Sequence, residues 1–154
     1  MRENINKDEQ LATLAVQGAT EQFSTTINVR SHQFLTDEPE ELGGTDQGAN
    51  PLEYCLGALI GCMNVIIRMV AKELEVTIND LELAADGTFD ERGLMGEGNI
   101  RPYFQTINVH VTIHAGTIGD GVKEQLIQQV ELRCPMYTML KASQISFHTN
   151  WDWK

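Results

Sequence analysis

One stretch of the sequence decides the fold, and it reads NPLEYCLGALIGCMNVIIRMVAKEL over residues 50–74. Asn50 is a typical helix-capping residue and Pro51 suits the first position of a helix. Beyond Glu53 the stretch is apolar almost all round as far as Val70. Because a helix without a polar face is usually buried, the sequence predicts a central core helix of about 35 Å over residues 51–74.

The same helix raises the alternative of a membrane span. Gly57 and Gly61 form a pair of small residues of the kind at which membrane helices pack. Against a span stand the polar residues Glu53, Asn64 and Arg68 and the lack of a flanking basic cluster. We therefore predict the core helix of a soluble protein, in which the two glycines allow another backbone to approach closely.

Composition limits the classes of partner. The chain has 154 residues, with 11 basic against 22 acidic side chains and a formal net charge of −11. So acidic a surface repels nucleic-acid phosphates and anionic lipids, so we expect neither nucleic-acid nor membrane binding. Three cysteines are too few for a secreted disulfide framework, and residues 1–6 do not resemble a signal peptide. The sequence therefore favours a cytoplasmic location.

The remaining patterns predict alternating strands and helices. Residues 105–115 alternate between apolar and polar side chains, which is typical of a strand with one buried face. Overall the order of elements indicates an α+β fold with a largely antiparallel sheet. The other predicted elements are a short helix over 8–17, strands over 23–29 and 32–35, a loop over 36–49, a strand from 81 to 89, a turn over 90–98, a helix from 120, a short helix over 136–142 and a last strand from 145.

The histidines do not predict a metal site. On a strand, His110 and His114 stand about 13 Å apart, which is too far to share one ion. His32 and His148 have no ligand-like neighbours in the sequence. No nucleotide-binding or metal-binding motif is present either. We therefore expect no metal and no cofactor.

The cysteines are the stronger candidates for chemistry. Cys55 and Cys62 share a face of the long helix but stand about 10 Å apart, so any intramolecular disulfide joins one of them to Cys134. Cys134 precedes Pro135 at a predicted helix start, where backbone N–H groups and the helix dipole favour a thiolate. Cys62 needs a cation, for which Arg30 or Arg68 is available. The alternative for each cysteine is a small buried hydrophobic residue.

Several segments together resemble the OsmC/Ohr superfamily of thiol-dependent hydroperoxide reductases. The resemblance covers roughly residues 23–150, so we predict a single OsmC-like domain over 23–154, preceded by an N-terminal extension over 1–22. The segments that carry it are Gly43-Gly44-Thr45-Asp46, Asn50-Pro51-Leu52-Glu53, Gly61-Cys62, Asp86-Gly87, the strand over 102–111 and Cys134-Pro135.

The resemblance implies a fold and a mechanism. Its fold is α+β, with antiparallel sheets wrapped around two central helices in an intertwined homodimer. Its mechanism implies that Cys62 is the peroxidatic cysteine, that Cys134 resolves the sulfenic acid and that Arg30 orients the thiolate. An organic hydroperoxide would be the substrate, and a thiol or dithiol the reductant. On helix-end electrostatics alone Cys134 would attack first, whereas the resemblance assigns that step to Cys62.

Two departures from the family pattern accompany the resemblance. The family glutamate stands ten residues before the first cysteine, where this chain has Leu52, and Glu53 is the nearest catalytic candidate. The alternative role for Glu53 is purely structural, as the partner of Asn50 in a capping box. Cys55 is an addition to the pattern.

The alternative function is that of a non-catalytic dimer of the same fold, which binds a ligand or senses redox state.

An apolar rim around the cysteines would favour organic hydroperoxides over hydrogen peroxide. The candidates for it are Met63, Tyr103, Phe104, Met136 and Tyr137.

Overall fold

The computed structural model describes residues 11–154. They fall into two compact units, one that ends at Pro51 and one that spans Leu52–Lys154. The predicted division between an extension over 1–22 and a domain over 23–154 stays a prediction.

The first unit contains a three-stranded antiparallel sheet of β1 (Gln17–Glu21), β2 (Ser24–Val29) and β3 (His32–Thr36). The short helix predicted over 8–17 is wrong in its described part, because residues 11–16 have no regular secondary structure and Gln17 starts a strand. Leu11 and Leu14 are 86% and 95% exposed, so no packing surface compensates the cost of starting a helix. Residues 8–10 of that prediction lie outside the described residues.

A buried carboxylate organises the loop after β3. Asp37 is 1% exposed. It accepts hydrogen bonds from the backbone N–H groups of Glu38, Thr45 and Gln47 and from the Thr45 hydroxyl at 2.6 Å. The Thr45 hydroxyl and these N–H groups hold the pKa of the Asp37 carboxyl far below its usual value, against the opposing effect of burial. The loop is therefore a closed structure built around one carboxylate.

The second unit forms around α1 (Pro51–Glu73), which begins at the predicted proline and ends one residue early. Its sheet has the order β4-β5-β6, with β4 and β5 antiparallel. The remaining elements are β4 (Ile78–Thr88), α2 (Glu91–Leu94), β5 (Thr106–Ala115), α3 (Asp120–Arg133), α4 (Pro135–Ala142) and β6 (Ser146–Trp153).

The chain confirms the predicted α+β fold, with one parallel pairing in a largely antiparallel arrangement. Strands β5 and β6 run parallel because α3 and α4 carry the chain back before β6 begins. The dimer stays a prediction.

One core holds the second unit together. The apolar face predicted for β5 is buried as expected. Every second residue of this strand, from Ile107 to Ile113, is buried in a core that it shares with the helices. This core contains Ile107, Val109, Val111 and Ile113 of β5, Leu59, Met63, Ile67 and Val70 of α1, and Leu126 and Val130 of α3. By length and hydropathy α1 would also pass as a membrane span, yet these α1 residues are fully buried in protein.

Substitution of Gly44, in the loop around Asp37, tests this part of the fold. A Cβ at Gly44 would lie 1.8 Å from the carbonyl oxygen of Glu38, so Gly44→Ala forces the backbone apart. We expect a loss of about 1–3 kcal/mol in the free energy of unfolding, measured by urea denaturation. Gly116→Ala is the control, because a Cβ there meets open space. Equal stabilities of the two variants would contradict the described loop.

Candidate functional site

The second unit brings two of the predicted site residues into contact. Cys62 lies in the middle of α1 and is half-buried, whereas Cys134 joins α3 to α4 and is fully buried. The Cys134 thiol lies beside the Cys62 thiol, close enough for Cys62 to raise the pKa of Cys134. Cysteines that are distant in the sequence therefore meet where α1 packs against the junction of α3 and α4.

Backbone hydrogen bonds hold the junction in one conformation. The Cys134 N–H donates to the Val130 carbonyl at 2.9 Å, which closes α3. The Cys134 carbonyl accepts from the Thr138 N–H at 2.9 Å and from the Thr138 hydroxyl at 3.0 Å, which opens α4. Pro135 has no N–H to continue α3, so the chain turns at Cys134. The turn points the Cys134 side chain into the core.

An ion pair connects the C-terminal end of α3 to the C-terminal end of α1. Arg133 donates to both carboxylate oxygens of Glu73, at 2.5 and 2.8 Å. The Arg133 side chain hydrogen-bonds the carboxylate and so lowers the pKa of Glu73. No pattern in the sequence indicates this pair, because its members are sixty residues apart in the chain.

The electrostatics of Cys134 differ from the sequence prediction. Backbone N–H groups of Tyr137 and Met136 at the start of α4 do favour a thiolate, as expected. Burial has the larger and opposite effect, and the neighbouring Cys62 adds to it. The pKa of Cys134 is therefore raised, not lowered, and this thiol keeps its proton at neutral pH.

Cys55 lies on the same side of α1 as Cys62 and is half-buried against the core. Burial raises the pKa of its thiol. Because α1 is continuous between the two cysteines, they cannot pair with each other in the folded helix. The cysteine that shifts the pKa of Cys134 is Cys62 and not Cys55.

The other two predicted site residues are Glu53, at the start of α1, and Arg30, in the first unit. Glu53 is exposed in the first turn of α1, and residues nine apart in a helix point about 180° away from each other, so it faces away from Cys62. Arg30 belongs to the first unit, where it occupies the exposed turn between β2 and β3 with a positive φ of 55°. The catalytic roles of both residues stay predictions.

The expected apolar rim is wrong for three of its members. Met63, Phe104 and Tyr137 are buried in the core, with at most 4% of each residue exposed. The surface cavity that Tyr137 lines includes neither Cys62 nor Cys134. Tyr103 is exposed beside Arg101, whose guanidinium carbon lies 5.4 Å from the centre of the ring.

Among residues 11–154, the only cluster with the spacing of metal ligands is Asp80, Glu82 and His114, which includes neither Cys62 nor Cys134.

Comparison with known protein families matches residues 44–150 to the OsmC-like protein family. The chain belongs to this family. The match includes both Cys62 and Cys134, together with all the elements that position them.

Solved structures of OsmC-like proteins share the fold. The OsmC-like protein of Mycoplasma pneumoniae has 22% sequence identity and a TM-score of 0.77, with 92% of this chain and 97% of that chain covered. An organic hydroperoxide resistance protein of Elizabethkingia anophelis has 18% identity and a TM-score of 0.71, with 96% and 100% covered. One from Legionella pneumophila has 15% identity and a TM-score of 0.68, with 94% and 99% covered. No curated protein matches the chain.

The different burial of the two thiols has a measurable consequence. When the native protein is treated with iodoacetamide at neutral pH, we expect Cys134 to react at least on the order of tenfold more slowly than Cys62. Burial blocks access to Cys134 and keeps it protonated. Peptide mass spectrometry over time gives both rates, and unfolding in urea should remove the difference. Equal rates in the native protein would contradict the described site.

Proposed function

We propose that this OsmC-like protein is a thiol-dependent peroxidase that reduces organic hydroperoxides with Cys62 and Cys134. The observation that carries the proposal is the contact between the two thiols, one half-exposed and one buried. Hydroperoxide resistance proteins of the same fold support it.

The first step is nucleophilic attack by Cys62. Its thiolate attacks the terminal oxygen of the hydroperoxide, so that an S–O bond forms and the O–O bond breaks. Cys62 is oxidised to a sulfenic acid, and the peroxide is reduced to an alcohol that takes up a proton from solvent. Cys62 is the better candidate for this step because Cys134 is fully buried and keeps its proton.

The second step forms the disulfide. The Cys134 sulfur attacks the sulfenic sulfur, an S–S bond forms, and the S–O bond breaks. Cys134 loses its proton as it attacks, and this proton leaves with the hydroxyl as water. An external dithiol, or two molecules of a small thiol, then reduces the disulfide and is itself oxidised. Such reductants are typical of the cytoplasm, where we place the protein.

A cation near Cys62 completes the proposed site. Arg68 lies six residues further along α1, which turns it about 120° away from Cys62, and it donates to Asn64 at 3.0 Å. Arg30, which the family resemblance implies, is therefore our candidate for orienting the thiolate. Glu53 stays a weaker candidate, because within one helix it faces away from Cys62.

We further propose that the protein is a homodimer that packs through the open face of α1. This face contains Gly57, Ala58, Gly61, Val65 and Met69, all exposed, and one charged residue, the exposed Arg68. A Cβ at Gly57 or Gly61 would meet no atom within 4 Å, so in the described chain no neighbour uses the space that these glycines leave. A second copy of α1 would cover this apolar face.

Trapping the intermediate tests the assignment of roles. In Cys134→Ser the sulfenic acid on Cys62 has no resolving thiol, so one equivalent of an alkyl hydroperoxide should add one oxygen atom to Cys62. In Cys62→Ser we expect Cys134 to stay a reduced thiol. Intact-protein and peptide mass spectrometry measure both, and Cys55→Ser is the matched control that should still form the disulfide.

The reverse pattern of oxidation would exchange the roles of the two cysteines. Absence of oxidation in both variants and in the wild type would favour the rival function, a dimer that binds a ligand or senses redox state without peroxidase activity.

The open face of α1 can be tested by adding bulk to it. Gly61→Leu places a large side chain where the partner helix would approach, so we expect it to shift the dimer toward monomer. Gly121→Leu is the matched control, since it makes the same change at another exposed helical glycine, in α3. Light scattering at micromolar concentration measures the molar mass. A monomeric wild type, or equal masses for the two variants, would contradict the proposed interface.

A further inference from the structure

The outer face of the second sheet carries a cluster of ligand-type side chains away from the cysteines. Asp80 and Glu82 of β4 and His114 of β5 each offer one ligand atom, and these atoms all lie within 4.8 Å of one another. The closest pair is His114 Nε2 and Glu82 Oε1, at 3.0 Å. We propose that these three residues bind a first-row divalent cation such as Mn²⁺ or Zn²⁺.

A β-bulge assembles this cluster. Ile78 pairs with Ala115, but the next pair is Asp80 with His114, so Asn79 is the extra residue on β4. Without the bulge, Asn79 would stand opposite His114. Because side chains alternate between the faces of a strand, the shift puts Asp80 directly across from His114, with Glu82 on the same face one diagonal step away.

The charges around the cluster favour a cation. Asp80 and Glu82 are two carboxylates on one exposed face, and neither forms a salt bridge to a lysine or arginine among residues 11–154. The other contact that the structure gives Asp80 is a hydrogen bond from the Leu81 N–H at 2.9 Å. Strands β4, β5 and β6 contain no lysine or arginine. A divalent cation would relieve the repulsion between the two carboxylates.

The donor set determines the class of ion. One imidazole nitrogen with two carboxylate oxygens suits Mn²⁺, Co²⁺ and Zn²⁺, and water would complete the coordination of an exposed site. The other histidines of this face are not part of such a cluster. His110 stands opposite Ala84 and contacts Asn150, while Asp86, one diagonal step from it, accepts a hydrogen bond from Asn108 instead. His148 contacts Ser146. The cluster is thus a local property of the bulged end of β4 and β5.

Titration of the full-length protein with Mn²⁺ tests the site, since this ion avoids thiol ligands. Electron paramagnetic resonance measures free Mn²⁺, and broadening of backbone amide signals in NMR spectra locates the bound ion. We expect saturable binding that broadens the signals of Asp80, Glu82 and His114. Asp80→Asn and His114→Ala should each weaken binding on the order of tenfold or more.

Two control variants separate a built site from general attraction to acidic protein. Asp86→Asn removes the same charge from the same face of β4, where Asp86 accepts from Asn108 at 2.7 Å outside the cluster. His110→Ala removes another imidazole from the same face of β5. Because neither residue contacts a member of the cluster, we expect each control to weaken binding much less than Asp80→Asn and His114→Ala do. Equal weakening by Asp80→Asn and Asp86→Asn, or no saturable binding, would overturn the proposal.

Discussion

The contact between the Cys62 and Cys134 thiols is the interaction on which the proposed chemistry depends, and the core of the second unit maintains it. The two residues come from different helices and meet because α1 and α3 pack on the same face of one sheet. The junction is fixed by the last hydrogen bond of α3 and by the ion pair of Arg133 with Glu73. Pro135 has no N–H with which to continue α3, so the chain turns there. The proposed chemistry would therefore use two thiols that lie side by side in the folded chain.

Two physical effects compete at Cys134, and their balance supports the roles that we propose for the two cysteines. The start of a helix stabilises a thiolate, typically by 0.3–1 kcal/mol for exposed groups, whereas full burial disfavours any charge much more strongly. Burial is the larger effect here and raises the pKa of Cys134, so Cys134 is a poor candidate for the thiolate that attacks the peroxide first. The electrostatic argument and the family resemblance, which disagreed at the level of sequence, agree once burial is known.

Much of the fold could be predicted because it depends on local patterns. The apolar run of α1, the alternation in β5 and the position of Pro135 each predict an element within a residue or two of its observed bounds. The predicted N-terminal helix over 8–17 is wrong over residues 11–17, since its pattern gains no packing partner there. Three features could not be predicted. The parallel pairing of β6 and the ion pair of Arg133 with Glu73 join residues that are distant in the sequence. The bulge at Asn79 depends on the register between two strands, which a single sequence does not indicate.

The central claim is that Cys62 and Cys134 of one chain form the functional disulfide. The most direct test oxidises the wild-type protein with one equivalent of an alkyl hydroperoxide, alkylates the remaining thiols and maps the cross-linked peptides without reduction. The account predicts that Cys62 is joined to Cys134 within one chain, while Cys55 is alkylated. A bond from Cys55 to Cys134, a bond between chains, or full alkylation of all three cysteines would contradict it.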